Sequence, residues 1–442
     1  MLLLLTGLAA AEEVEAGAAL TTNLRLSPSG YWLDFRDGAV FSPWATARPD
    51  SRVRARGSLD FRLHNLSAFD SIEGASSVDG TQPWSLRVRD ARISARGEHL
   101  SVKLGAQRIA WGVATGISLV DNLNPWDLED PTRFDRRLST PGVHAVGSFG
   151  VISVEGAWMP FFVAGALPSS GVSLTASSED VFDAEATGAG DVEIRDLETR
   201  VSMPGGAIWS GGFGGRLRWS ASRADMALSW YHGRDTLLQV HGDVLLTGFQ
   251  TDTNRVDVGV PLIFPVIDVG GVEVKGELFS GLSGWVEGAV VLPSYTAATT
   301  SLSQLESLEK LGTIDEIPDP LPTTVTQDGE PYLKWIVGLD RFFGPVYLNV
   351  QWLHGFPTER TQADLRDYAL LAARWGITPT LRLDLTGASD AAGWLGGGGL
   401  TWLYADVIEF SAGGVFIGGE EGSALAGFSG VSHGRFSAGM RF

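Results

Sequence analysis

The chain repeats a pattern in which apolar and polar residues alternate with a period of two. Between Arg52 and His64 one face of an extended segment carries the apolar residues Val53, Ala55, Gly57, Leu59, Phe61 and Leu63. The alternation returns at 216–221, 380–386 and 435–442. A period of two predicts β-strands, and a run of about a dozen residues is longer than the usual strand of about five or six. It matches a strand that crosses a bilayer at a tilt, apolar toward lipid and polar toward a lumen.

Connections between these strands alternate between tight turns and long loops. Tight turns are predicted at 97–98, 149–150, 222–223, 281–283, 344–345, 376–379 and 405–406. Long polar or glycine-rich loops are predicted at 68–83, 113–141, 161–206, 294–330, 357–365 and 419–432. Short turns on one side and long loops on the other are typical of outer-membrane barrels.

The alternation therefore predicts an all-β fold, an antiparallel transmembrane β-barrel with long external loops. Counting from Arg52 gives about 16 strands, an even number as in single-chain bacterial barrels, within a range of about 14 to 18. The region before Asp50 and the stretch Thr236–Pro265 each have room for one more pair. Eight tryptophans near the predicted strand ends are candidates for aromatic girdles at the membrane interfaces: Trp84, Trp111, Trp158, Trp209, Trp230, Trp335, Trp352 and Trp402.

Composition narrows the function classes. With 33 basic and 52 acidic residues the formal net charge is −19, which argues against nucleic acid as a partner because phosphate binding needs a dominant basic surface. The chain has no cysteine, so disulfides and thiolate metal sites are excluded. Beyond the N-terminus no stretch supplies the roughly 18 apolar residues of a membrane helix; the nearest, 260–269, is interrupted by Pro261, Pro265 and Asp268.

The first residues, Met1 to Ala11, consist of a leucine run followed by three alanines and then two glutamates. This resembles the apolar core and the small-residue cleavage site of a secretory signal, although no Lys or Arg precedes the leucines. We expect residues 1–11 to be the remnant of a signal peptide. Residues 12–442 are expected to form one barrel domain, with 113–141 and 294–330 as loop or plug insertions.

The segment from Leu104 to Pro168 resembles a group of Gram-negative outer-membrane barrels that are described as porin-like, or only by a domain of unknown function. The resemblance rests on these stretches: Gln107–Gly112, Asp121–Asp127, Asp130-Pro131, Arg136–Leu138 with Pro141, Trp158–Phe162 and Leu167-Pro168. The C-terminal Phe442 looks like the terminal aromatic residue by which the barrel assembly machinery recognises its substrates. The resemblance implies an outer-membrane location, contact with lipid and lipopolysaccharide, and passage of small or hydrophobic solutes; it implies no oligomeric state.

A chain segment that leaves the barrel wall is predicted after the strand that ends near Trp111. Asn122, Asn124 and Pro125 favour turns and block regular structure. The acidic and amide residues Asp121, Asn122, Asn124, Asp127 and Asp130 are candidates for a constriction that folds inward against basic residues of the wall. The candidate pore-lining residues are Arg54, Arg56, Arg62, Arg87, Arg89, Lys103, Arg216 and Arg218. The alternative is that 113–141 forms an external loop.

The basic wall has two interpretations. A ring of arginines favours anions in charge-selective channels, so one hypothesis is a porin-like channel for small solutes with anion preference; the other is that the arginines only balance acidic loops. Phe161 and Phe162 form an apolar lip, which suggests as an alternative function a plugged barrel that carries hydrophobic molecules; the other interpretation is an apolar loop root that contacts lipopolysaccharide or the plug. A separate alternative is a closed barrel that anchors a surface protein. The Gly430–Gly434 stretch fits G-x-S-x-G, but not between a strand and a helix. No catalytic residue, cofactor or metal site is predicted.

Overall fold

The computed structural model describes residues 13–30, 38–63, 84–130, 132–167, 193–250, 255–300, 323–420 and 423–442. These residues form 24 β-strands and one 3₁₀ helix, Ala426–Val431. The strands are β1 Glu13–Leu26, β2 Ala39–Arg48, β3 Val53–Leu63, β4 Trp84–Arg96, β5 Leu100–Gln107, β6 Thr140–Phe149, β7 Ile152–Met159, β8 Glu193–Val201, β9 Gly212–Ser220, β10 Ala224–Arg234, β11 Gln239–Val240, β12 Gly242–Gln250, β13 Arg255–Ile263, β14 Val266–Phe279, β15 Leu282–Pro293, β16 Thr296–Thr300, β17 Thr323–Gln327, β18 Tyr332–Phe343, β19 Val346–His354, β20 Asp367–Thr378, β21 Leu381–Ser389, β22 Gly393–Tyr404, β23 Ile408–Gly419 and β24 His433–Arg441. In this part of the chain no helix is long and apolar enough to cross a membrane.

Eighteen of these strands form a single closed antiparallel barrel. Neighbours in the wall follow chain order, and β1 pairs with β24, Ala19 opposite Arg441 and Leu26 opposite Gly434, which closes the sheet on itself. Closure leaves no unpaired sheet edge, which a bilayer requires because its core offers no water to satisfy free backbone groups. The predicted all-β barrel is confirmed.

The barrel has 18 strands, the upper end of the predicted range. The count of about 16 that starts at Arg52 matches the wall from β3 onward, and the two further strands are β1 and β2, before Asp50. The alternation is weak in β1 because the run Ala16–Ala19 places alanine or glycine on both faces. It is weak in β2 because the apolar Val40 and Trp44 share a face with Ser42 and Thr46. The second candidate stretch, Thr236–Pro265, contains β11 to β13, which lie outside the wall.

The two ends of the barrel differ. Tight turns, such as those between β6 and β7 and between β18 and β19, join the strands at one end, where both chain termini of the wall also lie. Long connections leave the other end. Three of these connections contribute the six strands β8, β11, β12, β13, β16 and β17, which form a second sheet of mixed parallel and antiparallel pairs.

The outer surface of the barrel is apolar. Along each wall strand the residues of one face are large, hydrophobic and exposed, as with Leu217 and Trp219 on β9 or Phe436 and Met440 on β24. Exposed aromatic residues near both ends include Trp84, Trp230, Trp352, Trp219, Trp402 and Phe442. An apolar band between two aromatic girdles is the surface that a bilayer selects. Trp111 departs from the girdle prediction, because it is buried in the lumen and its Nε1 donates to Glu155 at 3.2 Å.

Because one face of each wall strand contacts lipid, a charge placed on that face should lower the free energy of unfolding. Leu385, at the middle of β21, is exposed on the outer face, and the adjacent Thr386 faces the lumen. We expect Leu385→Arg to lower the free energy of unfolding in phospholipid vesicles by about 2–4 kcal/mol, because it places a charge at mid-bilayer depth. Urea titration of the vesicle-inserted protein measures this. The control Thr386→Arg should change the value by only about 0.5 kcal/mol; equal losses would contradict the facing.

Candidate functional site: the lumen and its inward segment

Residues 108–139, called here the inward segment, connect β5 to β6 and lie inside the barrel. The two strands remain paired up to Gln107 opposite Thr140, so the segment leaves from a closed hairpin. Its apolar side chains, including Ile117, Val120 and Leu123, are buried in one cluster with wall residues such as Ile336 and Leu353. A connection that packs against strands so far apart in the chain occupies the lumen.

Asn124 ties the two ends of the inward segment together at its root. Its Oδ1 accepts a hydrogen bond from the Ile109 backbone N–H at 2.7 Å, and its Nδ2 donates to the carbonyls of Gln107 at 3.2 Å and Leu138 at 2.9 Å. The amide is buried, where such bonds matter most because an unmet polar group is costly. Asn122 Nδ2 donates to the Leu119 carbonyl at 3.1 Å. Both asparagines therefore organise the backbone of the segment.

The second half of the inward segment forms salt bridges with the basic wall. Arg87 on β4 donates to Asp127 at 2.9 Å and to Glu129 at 2.7 Å, and Arg62 on β3 lies 2.7 Å from Glu129. Arg62 and Glu129 are buried. Removing one partner of such a pair would strand a buried charge.

A third ion pair extends this contact to the first strand. Arg25 on β1 donates to Asp130 at 3.1 Å, with both side chains buried. Arg25 is absent from the residues predicted as pore-lining. Leu24, Arg25 and Leu26 alternate, which would place Arg25 on the lumen face. The weak alternation earlier in β1 prevented that strand from being predicted.

The opposite wall holds the first half of the segment through a carboxylate. Glu287 on β15 accepts hydrogen bonds from Val113, Ala114, Ser118, Leu119 and Val120. On that side the packing is close: a Cβ built on Gly214 would lie 3.0 Å from the Trp111 ring, and one on Gly271 would lie 2.5 Å from Val120. Gln351 on β19 donates to the Thr115 carbonyl at 2.9 Å.

On the side of β24 and β1 to β4, a cavity of about 470 Å³ separates the inward segment from the wall. We call it the arginine cavity. Its charged lining consists of eight arginines and three aspartates: Arg62, Arg87, Arg89, Arg108, Arg133, Arg136, Arg137, Arg435, Asp60, Asp127 and Asp135. The excess of positive side chains makes it an environment for anions.

The structure brings three of the predicted pore residues, Arg62, Arg87 and Arg89, to the arginine cavity. A β-bulge at Arg89, between Val88 opposite Leu59 and Asp90 opposite Ser58, lies at the edge of the region, 89–92, where the alternation of the sequence changes phase. Arg54 and Arg56 lie on the same face of β3 as Arg62, nearer the short-turn end.

The remaining predicted pore residues lie elsewhere in the lumen. Lys103 is on the lumen face of β5. Arg216 on β9 is buried and donates to Glu155 at 3.4 Å and to Glu273 at 2.6 Å, and Arg218 lies 3.3 Å from Asp225. Carboxylates therefore compensate the charges of the two β9 arginines. Arg108, Arg133, Arg136, Arg137 and Arg435, which were not among the predicted pore residues, line the cavity instead.

Asp121 has a different environment from the other acidic residues of the segment. It is buried, and one of its carboxylate oxygens has no hydrogen-bond partner among the described residues. Burial raises the pKa of Asp121 to about 6, although the charges of Arg137 and Arg108 oppose the shift. Arg137 stacks on Trp126, 3.1 Å from the ring centre, and burial lowers its pKa to about 10, so it stays charged at neutral pH.

The predicted apolar lip does not line the arginine cavity. The Phe162 ring packs against Phe264 with 4.7 Å between centroids, and its backbone N–H donates to Ser210 at 3.2 Å. Phe161 is exposed. The lip thus packs on neighbouring connections at the long-loop end.

The G-x-S-x-G stretch lacks the setting of a nucleophile elbow. Its first two residues end the 3₁₀ helix and its last two begin β24, the reverse of the strand-to-helix order that the motif requires. Ser432 Oγ accepts a hydrogen bond from the Ile417 backbone N–H at 2.9 Å, and His433 Nδ1 lies 2.7 Å from the Val431 carbonyl. Among the described residues no cluster of His, Asp and Glu could hold a metal ion.

Comparison with known proteins identifies the fold. No family model matches the sequence, and no curated protein matches it either. The outer membrane protein OpdK of Pseudomonas aeruginosa is similar in structure, with a TM-score of 0.52 and 8% identity over 98% of this chain and 99% of that one. The structure of OpdK with vanillate gives the same values, and a further OpdK structure gives 0.51 at 7% identity. The chain therefore has the fold of an outer-membrane porin, and its lipid-facing exterior confirms the predicted outer-membrane location.

Proposed function

We propose that the protein is a porin-like channel of a Gram-negative outer membrane through which small anionic solutes diffuse. The arginine cavity is the observation that carries this proposal. It is the space between the inward segment and the wall, and arginines supply most of its charged lining. In a narrow lumen of low polarisability, such charges set which ions enter.

The close packing on the opposite side supports a single route. There the side chains of Trp111 and Val120 lie directly against the wall at Gly214 and Gly271. A solute that crosses the barrel is therefore directed along β24 and β1 to β4. Asp127 lines this route and is held by Arg87. Asp130, buried against Arg25, fixes the segment to the wall, while Asp121, Asn122 and Asn124 act within the segment.

Positive side chains continue from the arginine cavity toward the short-turn end of the barrel. Arg62, Arg56 and Arg54 lie on one face of β3, and at about 3.3 Å per residue they span roughly 26 Å of strand. Lys103 on β5 faces the same lumen. Arg62 pairs with Glu129, and Arg56 lies 3.7 Å from Asp90. The excess of cations over carboxylates along this path lowers the barrier for an anion at successive positions, which conduction requires.

The comparison with OpdK is consistent with an anionic solute. One of its structures was determined with vanillate, a small aromatic carboxylate. The similarity at 8% identity concerns the fold, and the choice of anion here rests on the arginines of this chain.

Placement in the outer membrane implies further partners. Lipid and lipopolysaccharide would contact the apolar exterior. The last strand, β24, ends next to the exposed Phe442, and we propose that the barrel assembly machinery recognises this strand. The signal-peptide prediction for residues 1–11 lies outside the described residues.

The test is the reversal potential of single channels in a planar bilayer under a potassium chloride gradient. We expect steady conductance steps with a reversal potential of the sign set by chloride, weakening as salt rises and screens the arginines. A reversal potential set by potassium would contradict anion preference. Folded protein that conducts no ions would contradict the channel itself.

A further inference from the structure

Glu287 stands out among the buried charges of the lumen. Its side chain is 0% exposed, and no cation forms a salt bridge with it among the described residues. Its Oε2 accepts from the backbone N–H groups of Val113 at 3.0 Å and Ala114 at 3.2 Å. Its Oε1 accepts from Ser118 Oγ at 2.8 Å, Val120 N–H at 3.0 Å and Leu119 N–H. Five donors from one short stretch thus converge on one carboxylate.

The local backbone of the inward segment is shaped for this carboxylate. Gly112 has a φ of +98°, and a Cβ at this position would lie 2.7 Å from Glu287 Oε2. Glycine alone combines this backbone conformation with such a close approach. Successive N–H groups that point at one anion form a preorganised site for negative charge.

The other end of the inward segment is held by positive residues of the wall. Residues 113–120 contact the carboxylate on β15, and Asp127, Glu129 and Asp130 contact the arginines of β1, β3 and β4. In the wall order β15 lies eight strands from β3 in an 18-strand barrel, which is almost diametrically opposite. The segment therefore crosses the lumen between an acidic and a basic attachment.

We propose that Glu287 is a positioning residue that sets the width of the passage. Its carboxylate keeps residues 113–120 on the far wall and away from the arginine cavity. Without it, the first half of the segment detaches while the salt bridges hold the second half, so that the lumen fluctuates between conductance levels. The role in setting the width of the passage rests on the proposed channel function. Detachment of residues 113–120 from the wall can be measured without any ion flux.

The first measurement uses a thiol reporter. Because the natural chain has no cysteine, Val120→Cys introduces a single thiol at a site that is 2% exposed. In vesicle-inserted protein we expect Glu287→Gln to speed maleimide labelling of this thiol about tenfold or more, since one hydrogen bond to a charged acceptor is worth at least that ratio.

The matched control is Glu273→Gln. Glu273 lies directly opposite Glu287 on the neighbouring strand β14 and is equally buried, at 1% exposure. Its partner is Arg216 of the wall, with 2.6 Å between Nη2 and Oε2. Because Glu273 bonds to the wall and not to residues 113–120, labelling should stay within about twofold of the parent rate. The proposal would be overturned if both substitutions sped maleimide labelling equally, or if neither did so in a folded barrel.

Gly112→Ala tests the same contact from the side of the segment and leaves the wall unchanged. The added methyl group meets Glu287 and Ser118, so we expect faster labelling together with unsteady single-channel current. If Gly112→Ala and Glu287→Gln both kept the steady current and the slow labelling of the parent, the carboxylate would not position the segment. Fast labelling in a barrel that conducts no ions would support the positioning role and contradict the proposed channel.

Discussion

Replacing residues 108–139 with an Asn-Gly turn is expected to raise the single-channel conductance about twofold or more, because the segment fills most of a lumen that an 18-strand wall makes wide. The replacement fits the wall, since Gln107 and Thr140 are already paired at the end of β5 and β6. A two-residue type I′ turn joins antiparallel strands at such a pair. Conductance in a planar bilayer measures the effect.

The same variant also makes a prediction about selectivity. The deleted residues carry four arginines and five acidic residues, and their loss frees Arg25, Arg62 and Arg87 from their carboxylate partners. Anion preference should therefore persist in the wider channel. The folded state is checked by resistance of the barrel to unfolding in detergent. Conductance equal to that of the parent, in a folded barrel, would contradict the placement of the segment in the conducting lumen.

The double substitution Arg89→Gln with Arg108→Gln is expected to lower the chloride-to-potassium permeability ratio by roughly twofold or more. The two side chains line the arginine cavity from the wall and from the inward segment. Arg89 Nε lies 3.6 Å from Asp60, and Arg108 donates to the backbone carbonyl of Asp135 at 3.1 Å. Their loss strands no fully buried carboxylate, unlike substitution of Arg62, so the fold should tolerate it.

Arg218→Gln is the matched control. Arg218 faces the lumen from β9 and pairs with Asp225, but it does not line the arginine cavity. Its substitution removes one positive charge from the lumen without changing the cavity. The permeability ratio should remain that of the parent. If the double variant keeps the parental ratio, or if Arg218→Gln lowers it equally, the cavity does not determine selectivity.

The sequence predicts the wall well where the two faces differ strongly in polarity. The alternation of Arg54, Arg56 and Arg62 with Ala55 and Phe61 assigns both the strand and its facing. In β1 and β2 small residues occupy both faces, so the period of two alone does not predict these strands. Strands β11 to β13 of the second sheet fall in the stretch Thr236–Pro265, where the sequence predicts room for one more wall pair, and β8, β16 and β17 fall in predicted long loops. The pairing of these six strands with one another was not predicted.

The arrangement of the lumen is harder to predict than its lining. Alternation shows that Arg87 and Arg216 both face inward, but not that Arg87 reaches the inward segment while Arg216 bonds to Glu155 and Glu273. Those partners are set by the closed circle of strands, which brings together residues far apart in the chain. Glu287 likewise reads as one polar position in β15, and its five donors come from a segment about 170 residues earlier.

The two attachments of the inward segment also bear on the order of assembly. Glu287 belongs to β15, and Arg25 to β1, which meets β24 only when the last strand has been added. In an open, partly formed sheet these charges are hydrated, and nothing favours bringing them toward one loop. We therefore expect the segment to engage both attachments once the sheet has closed into a cylinder. The pore would then narrow at the end of biogenesis, and an incompletely inserted barrel would leak in a way that the finished protein does not.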